Sequence, residues 1–545
     1  MLLFTLLVAF GVVFVRAFWL QGVRAAPLAR LALAQHRETQ VLPASRGTLF
    51  DRTGFQLAIG EQATTVYADP RQITDARAAA TAAQAAFGRR LVNANRLYPL
   101  LADRTKGFVY VCRTCDPDKA AALAAKHVTG LYSYPEERRR YPQSSVAAQV
   151  LGYAGIDNHG LAGLELQLDK QLSGKPGTQT VIKTPDGRPI DVVSSTPVRE
   201  GKSVALTIDH TIQAQAETVL RKTMSHWGAK DATAIVLDPR NGDILAMAVE
   251  PGYDANKFGS TPPAKQRNRA VTDYYEPGST FKVVTVAGAL SSHLVTPQTA
   301  FTLPYSLRVA DRIVHDAEKR GTVRYTVAQI LSHSSNIGAI TLAEMLGKQR
   351  LSEWIDRFGF GKPTGIEFPG ESPGAVLPAA QWSGSTIGNV PIGQGVAVTP
   401  IQMASAYATI ANRGVWVQPH LVAGDGGKKR RVLARPIAAQ LVQMLKGVVA
   451  EGGTAPLAAI PGYQVAGKTG TAQKPGPGGY TTGKYVASFV GMVPASKPRL
   501  VVLVAVDEPH GAIWGGYVAA PAFQEIAQFD LQYLEVPPDG PITKS

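Results

Sequence analysis

Apolar residues fill positions 2–15 with only Thr5 and Gly11 as interruptions, and Ala17-Phe18-Trp19-Leu20 extends the run beyond Arg16. That approaches the ~20 residues a helix needs to cross a bilayer. Arg16 can snorkel and Trp19 suits an interface. The pattern then loosens. Thr64-Thr65-Val66-Tyr67-Ala68 is β-prone between glycines and charges, residues 73–102 are Ala-rich and predict helix, and Gly163-Leu164-Glu165 opens another helical stretch. From Thr180 to Lys202, Val, Ile and Thr alternate with turn residues and predict hairpins. Past Val204-Ala205-Leu206-Thr207-Ile208-Asp209 the pattern predicts a helix from Thr211. Two strands follow, 232–238 and 244–249, joined by Pro239-Arg240-Asn241-Gly242-Asp243. Apolar runs at 488–493 and 500–506 predict late strands, and the Gly/Pro-rich Lys474–Gly483 reads as a mobile loop. Helices in the middle with antiparallel strands at both ends predict an α+β or α/β layered fold whose sheet closes late in the chain.

The net charge of +15 invites a nucleic-acid reading. However, the basic residues are dispersed, with the tightest groups at Arg138–Arg140 and Lys428–Arg431, and neither a zinc-finger spacing nor a phosphate-binding glycine loop accompanies them. A solvated or membrane-facing basic surface fits better, with no nucleic acid as partner. The apolar start admits a cleaved signal peptide or a retained anchor. The anchor is preferred, because no basic stretch precedes it and only a loose cleavage site lies near Ala25-Ala26. Arg24, Arg30 and Arg37 follow the span, on the side where an exported chain is usually poor in positive charge, and a cytoplasmic stretch upstream would reconcile this. The two cysteines, Cys112 and Cys115, are expected to form a local disulfide or to be idle thiols rather than a metal or redox site.

Ser279-Thr280-Phe281-Lys282 carries the most chemistry. Pro277-Gly278 signals a turn and the following apolar run a buried helix, so Ser279 falls at a helix start with Lys282 one turn on. A serine needs a base to become a nucleophile, and a lysine serves only if burial or a neighbouring cation lowers its pKa. The helix start also directs free N–H groups toward a developing oxyanion. Ser-x-x-Lys alone is common on solvated helices. Ser334-Ser335-Asn336 supplies a hydroxyl for proton relay and an amide to orient Lys282 and substrate, although a Ser/Asn helix cap is the plainer reading. Lys468-Thr469-Gly470-Thr471 offers fixed charge, hydroxyls for a carboxylate, and small residues beside a strand edge, or simply a turn.

Taken in order, these are the Ser-x-x-Lys, Ser-x-Asn and Lys-Thr-Gly set shared by penicillin-binding proteins and class A β-lactamases. The chain resembles a class B high-molecular-weight penicillin-binding protein. The segments carrying the likeness are Arg46-Gly47-Thr48-Leu49-Phe50-Asp51-Arg52, Arg139-Arg140-Tyr141-Pro142, Gly163-Leu164-Glu165, Ile392-Gly393-Gln394-Gly395 and Val398-Thr399-Pro400-Ile401-Gln402. The last also reads as a capping box with Pro400 at N1. Cys112 and Cys115 depart from the family pattern, as does the absence of a charged cytoplasmic tail.

The resemblance implies a multi-domain α+β chain: an anchor at 1–20, a non-catalytic, dimerisation-type and elongated pedestal at 21–204, and a transpeptidase domain at 205–545 with a short tail. It implies a peptidoglycan D,D-transpeptidase, division-type rather than elongation-type, sited extracytoplasmically on the cell membrane and blocked by β-lactams. Ser279, Lys282, Ser334, Asn336 and Lys468 would be catalytic, and Thr469, Gly470 and Thr471 would bind substrate, without metal or cofactor. Donor and acceptor stem pentapeptides would be the substrates. A multi-spanning glycosyltransferase and other divisome proteins would be the partners, because the pedestal already occupies the stretch between anchor and transpeptidase region. A β-lactamase or β-lactam sensor, and a non-enzymatic scaffold, are the rival classes.

Overall fold

The computed structural model describes residues 1–26, 37–183, 189–424 and 426–540. Arg30, the centre of the 180–202 stretch and the last five residues lie outside them. The chain forms two compact units. One comprises Met1–Gly47, Gly60–Arg138 and Gln171–Lys202, and the other Thr48–Ile59, Arg139–Lys170 and Ser203–Ser545.

In the first unit, Leu2–Phe18 is α-helical and continues as a wider turn over Trp19–Val23, apolar and unburied throughout. Strand Gln56–Ala68 pairs antiparallel with Val109–Cys115 and also with Leu131–Arg140. The Ala-rich stretch is two helices, Ala76–Phe87 and Ala94–Ala102, because Gly88 ends the first and Asn93 caps the second. Ala79, Ala83, Phe87, Leu97 and Leu101 pack with Val66, Ala68 and Val109 of the strands. Small alanines let helix and sheet approach closely, which is how a stretch of modest hydrophobicity builds a core. Cys112 and Cys115 are joined by a disulfide. Gly177–Lys183 pairs with Pro189–Thr196, as the alternation predicts, and on its other side with Arg37–Leu42, which the alternation does not predict.

The second unit is built on a five-stranded antiparallel sheet in the order Ile244–Glu250, Asp231–Leu237, Leu500–Asp507, Gly479–Val493, Ala466–Gly476. Early and late chain segments therefore close one sheet, and Ala466–Gly476 is left with a free edge. Its central strands are buried on both faces and read as near-continuous Val/Ala/Leu runs. Asp209 caps helix His210–Trp227, and that helix and Ala520–Tyr533 pack together against the sheet. Helix Pro400–Ala411 packs on the sheet as well, opened by the expected capping box of Thr399 and Gln402. Helix Lys282–Ser291 is buried from Lys282 to Leu290, consistent with its being apolar on every side.

Lys474–Gly483 is not the mobile loop its composition suggests. It extends the hairpin of Ala466–Gly476 and Gly479–Val493, with the turn confined to the glycines around Gly478. Lys474 bonds Asp507 at 2.7 Å and Glu508 at 2.8 Å, and Lys484 lies 3.2 Å from Glu508. These cross-strand ion pairs override the local Gly/Pro signal.

Candidate active site

Ser279 lies in a single 3₁₀ turn, Gly278–Phe281, that runs directly into helix Lys282–Ser291. A 3₁₀ turn eclipses positions three apart, so the local geometry stacks Ser279 over Lys282 more closely than an α-turn would. Several contacts hold the turn. Gly278, at φ 53°, donates its N–H to Gly393 O at 3.2 Å, the Thr280 hydroxyl donates to Pro277 O at 2.7 Å, and the buried Tyr407 hydroxyl donates to Thr280 O at 2.9 Å. An added Cβ on Gly393 would overlap the Gly278 carbonyl and amide, so two glycine backbones touch here.

Lys282 is fully buried. Its Nζ donates to Ser334 O at 2.5 Å, Asn336 Oδ1 at 2.7 Å and Ser334 Oγ at 3.1 Å. These satisfy the three donors of an ammonium, and none goes to Ser279. Burial pushes Lys282 down to about 7, opposed by the negative charge of Asp316. The amine is thus balanced between its two protonation states at neutral pH, as a general base for serine requires.

Ser334 and Asn336 are delivered by the connection between helices Val327–Ser332 and Asn336–Leu346. Ser334 sits in the left-handed region at φ 57°, a conformation that costs a non-glycine residue of order 1 kcal/mol or more. Ser335 takes the capping role, accepting the Gly338 N–H at 3.1 Å. The helix-cap reading of Ser334-Ser335-Asn336 thus falls on Ser335, while Ser334 and Asn336 turn toward Lys282.

Sequence reasoning missed the group that organises this connection. The Asp316 carboxylate accepts from Asn336 N at 2.5 Å, Ile337 N at 3.1 Å, Ser335 Oγ at 3.1 Å and Arg320 Nε at 3.0 Å. It occupies the positive end of helix Asn336–Leu346. Asn336 Nδ2 donates to the adjacent His315 O at 2.8 Å, which leaves Asn336 Oδ1 facing Lys282.

On the other side stands the free-edged strand. Lys468 is fully buried, and its Nζ donates only to the next residue among the described residues, to Thr469 Oγ1 at 3.2 Å and Thr469 O at 3.3 Å. Burial and the charge of Lys282 push it well below the ordinary lysine range. Thr469 Oγ1 shares a hydrogen bond with Thr454 Oγ1 at 3.0 Å, and Thr471 Oγ1 accepts the Gly515 N–H at 3.1 Å. A Cβ on Gly470 would come within 2.9 Å of Pro277 O and would strike Ser488 Oγ, so glycine lets the turn that carries Ser279 lie against the strand. Between the two sides opens a cleft of about 550 Å³ lined by Ser279, Ser334, Asn336, Thr469 and Thr471, with Trp514 and Tyr517 also on its lining. The eight residues singled out from sequence thus converge: five line this cleft, Lys282 and Lys468 stand behind its lining, and Gly470 packs the strand against the turn.

Residues 232–528 match the model of the penicillin binding protein transpeptidase domain, and residues 41–206 that of the penicillin-binding protein dimerisation domain. Penicillin-binding protein PbpB of Mycobacterium tuberculosis is 36% identical over 568 residues, spanning 95% of this chain and 82% of that protein. Peptidoglycan D,D-transpeptidase FtsI of Escherichia coli is 33% identical over 544 residues, spanning 98% and 91%. The crystal structure of penicillin binding protein 3 from Mycobacterium tuberculosis complexed with aztreonam is similar at TM-score 0.71 and 31% identity, over 92% of this chain and 99% of that one.

Proposed function

The chain belongs to the class B penicillin-binding proteins, and from that membership we propose that Ser279 is the acyl-accepting nucleophile of a division-type peptidoglycan D,D-transpeptidase. The observation that carries the assignment is Lys282: buried, brought to about 7, and held by Ser334 and Asn336 at the foot of the serine turn.

In the first step neutral Lys282 takes the Ser279 proton while Oγ attacks the carbonyl of the penultimate D-alanine of a stem pentapeptide. The N–H groups of Ser279 and Thr471 receive the oxyanion. The proton moves through the Ser334 hydroxyl to the leaving D-alanine nitrogen, the C–N bond breaks, and Ser279 carries the acyl group. In the second step the amine of a neighbouring stem attacks that ester, passes its proton back along the same path, and restores Ser279 as the cross-link forms. Asn336 holds Lys282 and the substrate amide, while Lys468, Thr469 and Thr471 take the terminal carboxylate. Gly470 gives the substrate backbone room along the strand.

A β-lactam imitates the donor and leaves a slowly released ester on Ser279. The apolar helix Leu2–Val23 serves as the single membrane anchor, with the cleft outside the cytoplasm. A multi-spanning glycosyltransferase and other division proteins are the partners that would supply strands. Ser279→Ala should abolish covalent labelling by fluorescent penicillin, and labelling retained on another serine would refute the assignment. Depletion in cells should give filaments; rounded cells would point to an elongation role.

A further inference from the structure

Glu276 stands three residues before Ser279, is 9% exposed, and has no part in the chemistry above. Its two carboxylate oxygens are divided between two distant segments. Oε1 accepts the Gly395 N–H at 2.8 Å, and Oε2 accepts the Tyr480 hydroxyl at 2.9 Å. Gly395 lies two residues past Gly393, the residue in backbone contact with Gly278. Tyr480 lies just past the glycine turn that ends the hairpin, and pairs with Pro475 on the opposite strand. The root of that hairpin is fixed to Asp507 and Glu508 by Lys474. One carboxylate therefore joins the far end of the hairpin, the Gly393–Gly395 segment and the nucleophile turn.

We propose that Glu276 is a positioning residue for Ser279, and that the Tyr480 hydroxyl is the contact through which the hairpin governs the geometry of the nucleophile turn. The inference rests on Ser279 being the nucleophile. A buried carboxylate keeps its charge cheaply only when donors meet both oxygens. Glu276 has such donors from both partners, so loss of either leaves the oxygen it met in search of a new donor and lets the Pro277-Gly278 turn shift. A displacement well below 1 Å suffices to slow an attack that depends on alignment.

The experiment is a double-mutant cycle on acylation by a fluorescent penicillin, resolved into the binding constant and the first-order acylation constant. Tyr480→Phe keeps the ring and removes only the hydroxyl. It should lower the first-order constant about fivefold, the value of one hydrogen bond, with the binding constant unchanged and the protein still folded at the assay temperature. Glu276→Gln should lower the first-order constant at least as far, and the double variant should fall no further than Glu276→Gln alone. A wild-type rate for Tyr480→Phe would overturn the proposal, as would a loss confined to the binding constant or effects that multiply in the double variant. If Glu276→Gln does not fold, Tyr480→Phe decides alone. Mass analysis locates the label in every protein. Wild-type protein unlabelled at Ser279 would refute the nucleophile assignment itself, a result distinct from a labelled Tyr480→Phe with an unchanged rate.

Discussion

The helical side and the strand side of the cleft each bury a lysine completely, yet they use burial to different ends. Lys282 has three oxygen acceptors, and the negative charge of Asp316 partly offsets desolvation, so the amine rests at about 7. Among the described residues, Lys468 Nζ meets only Thr469 oxygens, at 3.2–3.3 Å, and burial together with the charge of Lys282 pushes it well below the ordinary lysine range. The first environment suits a base that must gain and lose a proton in every turnover. The second has no anionic partner among the described residues, and an incoming carboxylate would supply one, raising the Lys468 pKa and restoring its charge. The lesson is that two equally buried lysines are set apart by the charge beside each, a carboxylate for Lys282 and a cation for Lys468.

The sharpest way to break this contrast is to remove each amine in turn. Lys282→Met should slow acylation by penicillin about a thousandfold, within the range for a lost general base. Lys468→Met should cost about a hundredfold, as for a lost electrostatic contact. Its loss should fall on ligands that carry the carboxylate and largely spare their esters. Equal losses for both variants on both ligand types would erase the distinction.

Asp316→Asn tests a smaller effect. Acylation should rise with pH through about 7 as Lys282 loses its proton. The Asp316 charge favours the protonated amine, so its removal should move that limb to lower pH, as read from a pH–rate profile. The same change should cost about 1 kcal/mol of stability in denaturant unfolding, because Asp316 also meets the first N–H groups of helix Asn336–Leu346. A limb that stays in place would mean Asp316 acts on the helix alone. Smallest of all, Thr454→Val removes the hydrogen bond to Thr469 and should weaken carboxylate-dependent binding by about threefold or less. An unchanged binding constant would detach Thr454 from the strand side.

Much of this site was legible because its chemistry is written in short spacings. A serine three before a lysine, a serine two before an asparagine, and a lysine followed by threonine and glycine each survive as local geometry. The late closure of the sheet was legible from the positions of the apolar runs. What escaped were groups whose role depends on long-range contact. Asp316 lies 18 residues before Ser334 in an unremarkable polar turn, and nothing in its neighbourhood marks it as the cap of a helix that begins at Asn336. Glu276 and Tyr480 are 204 residues apart and meet only through the fold. Lys474–Gly483 was misread because composition reports a local preference for turns, whereas ion pairs to Asp507 and Glu508 are a tertiary effect.

The contact between Gly278 and Gly393 also bears on how this protein can adapt. Because both residues have positive φ and Gly393 has no room for even one methyl group, these two positions beside Ser279 are closed to side-chain novelty. A lineage under pressure from an acylating drug cannot escape by small adjustments there without losing the alignment on which its own wall-building depends. Heritable change that spares cross-linking is channelled outward, to the rim at Trp514 and Tyr517, where side chains face solvent and alternatives can be sampled.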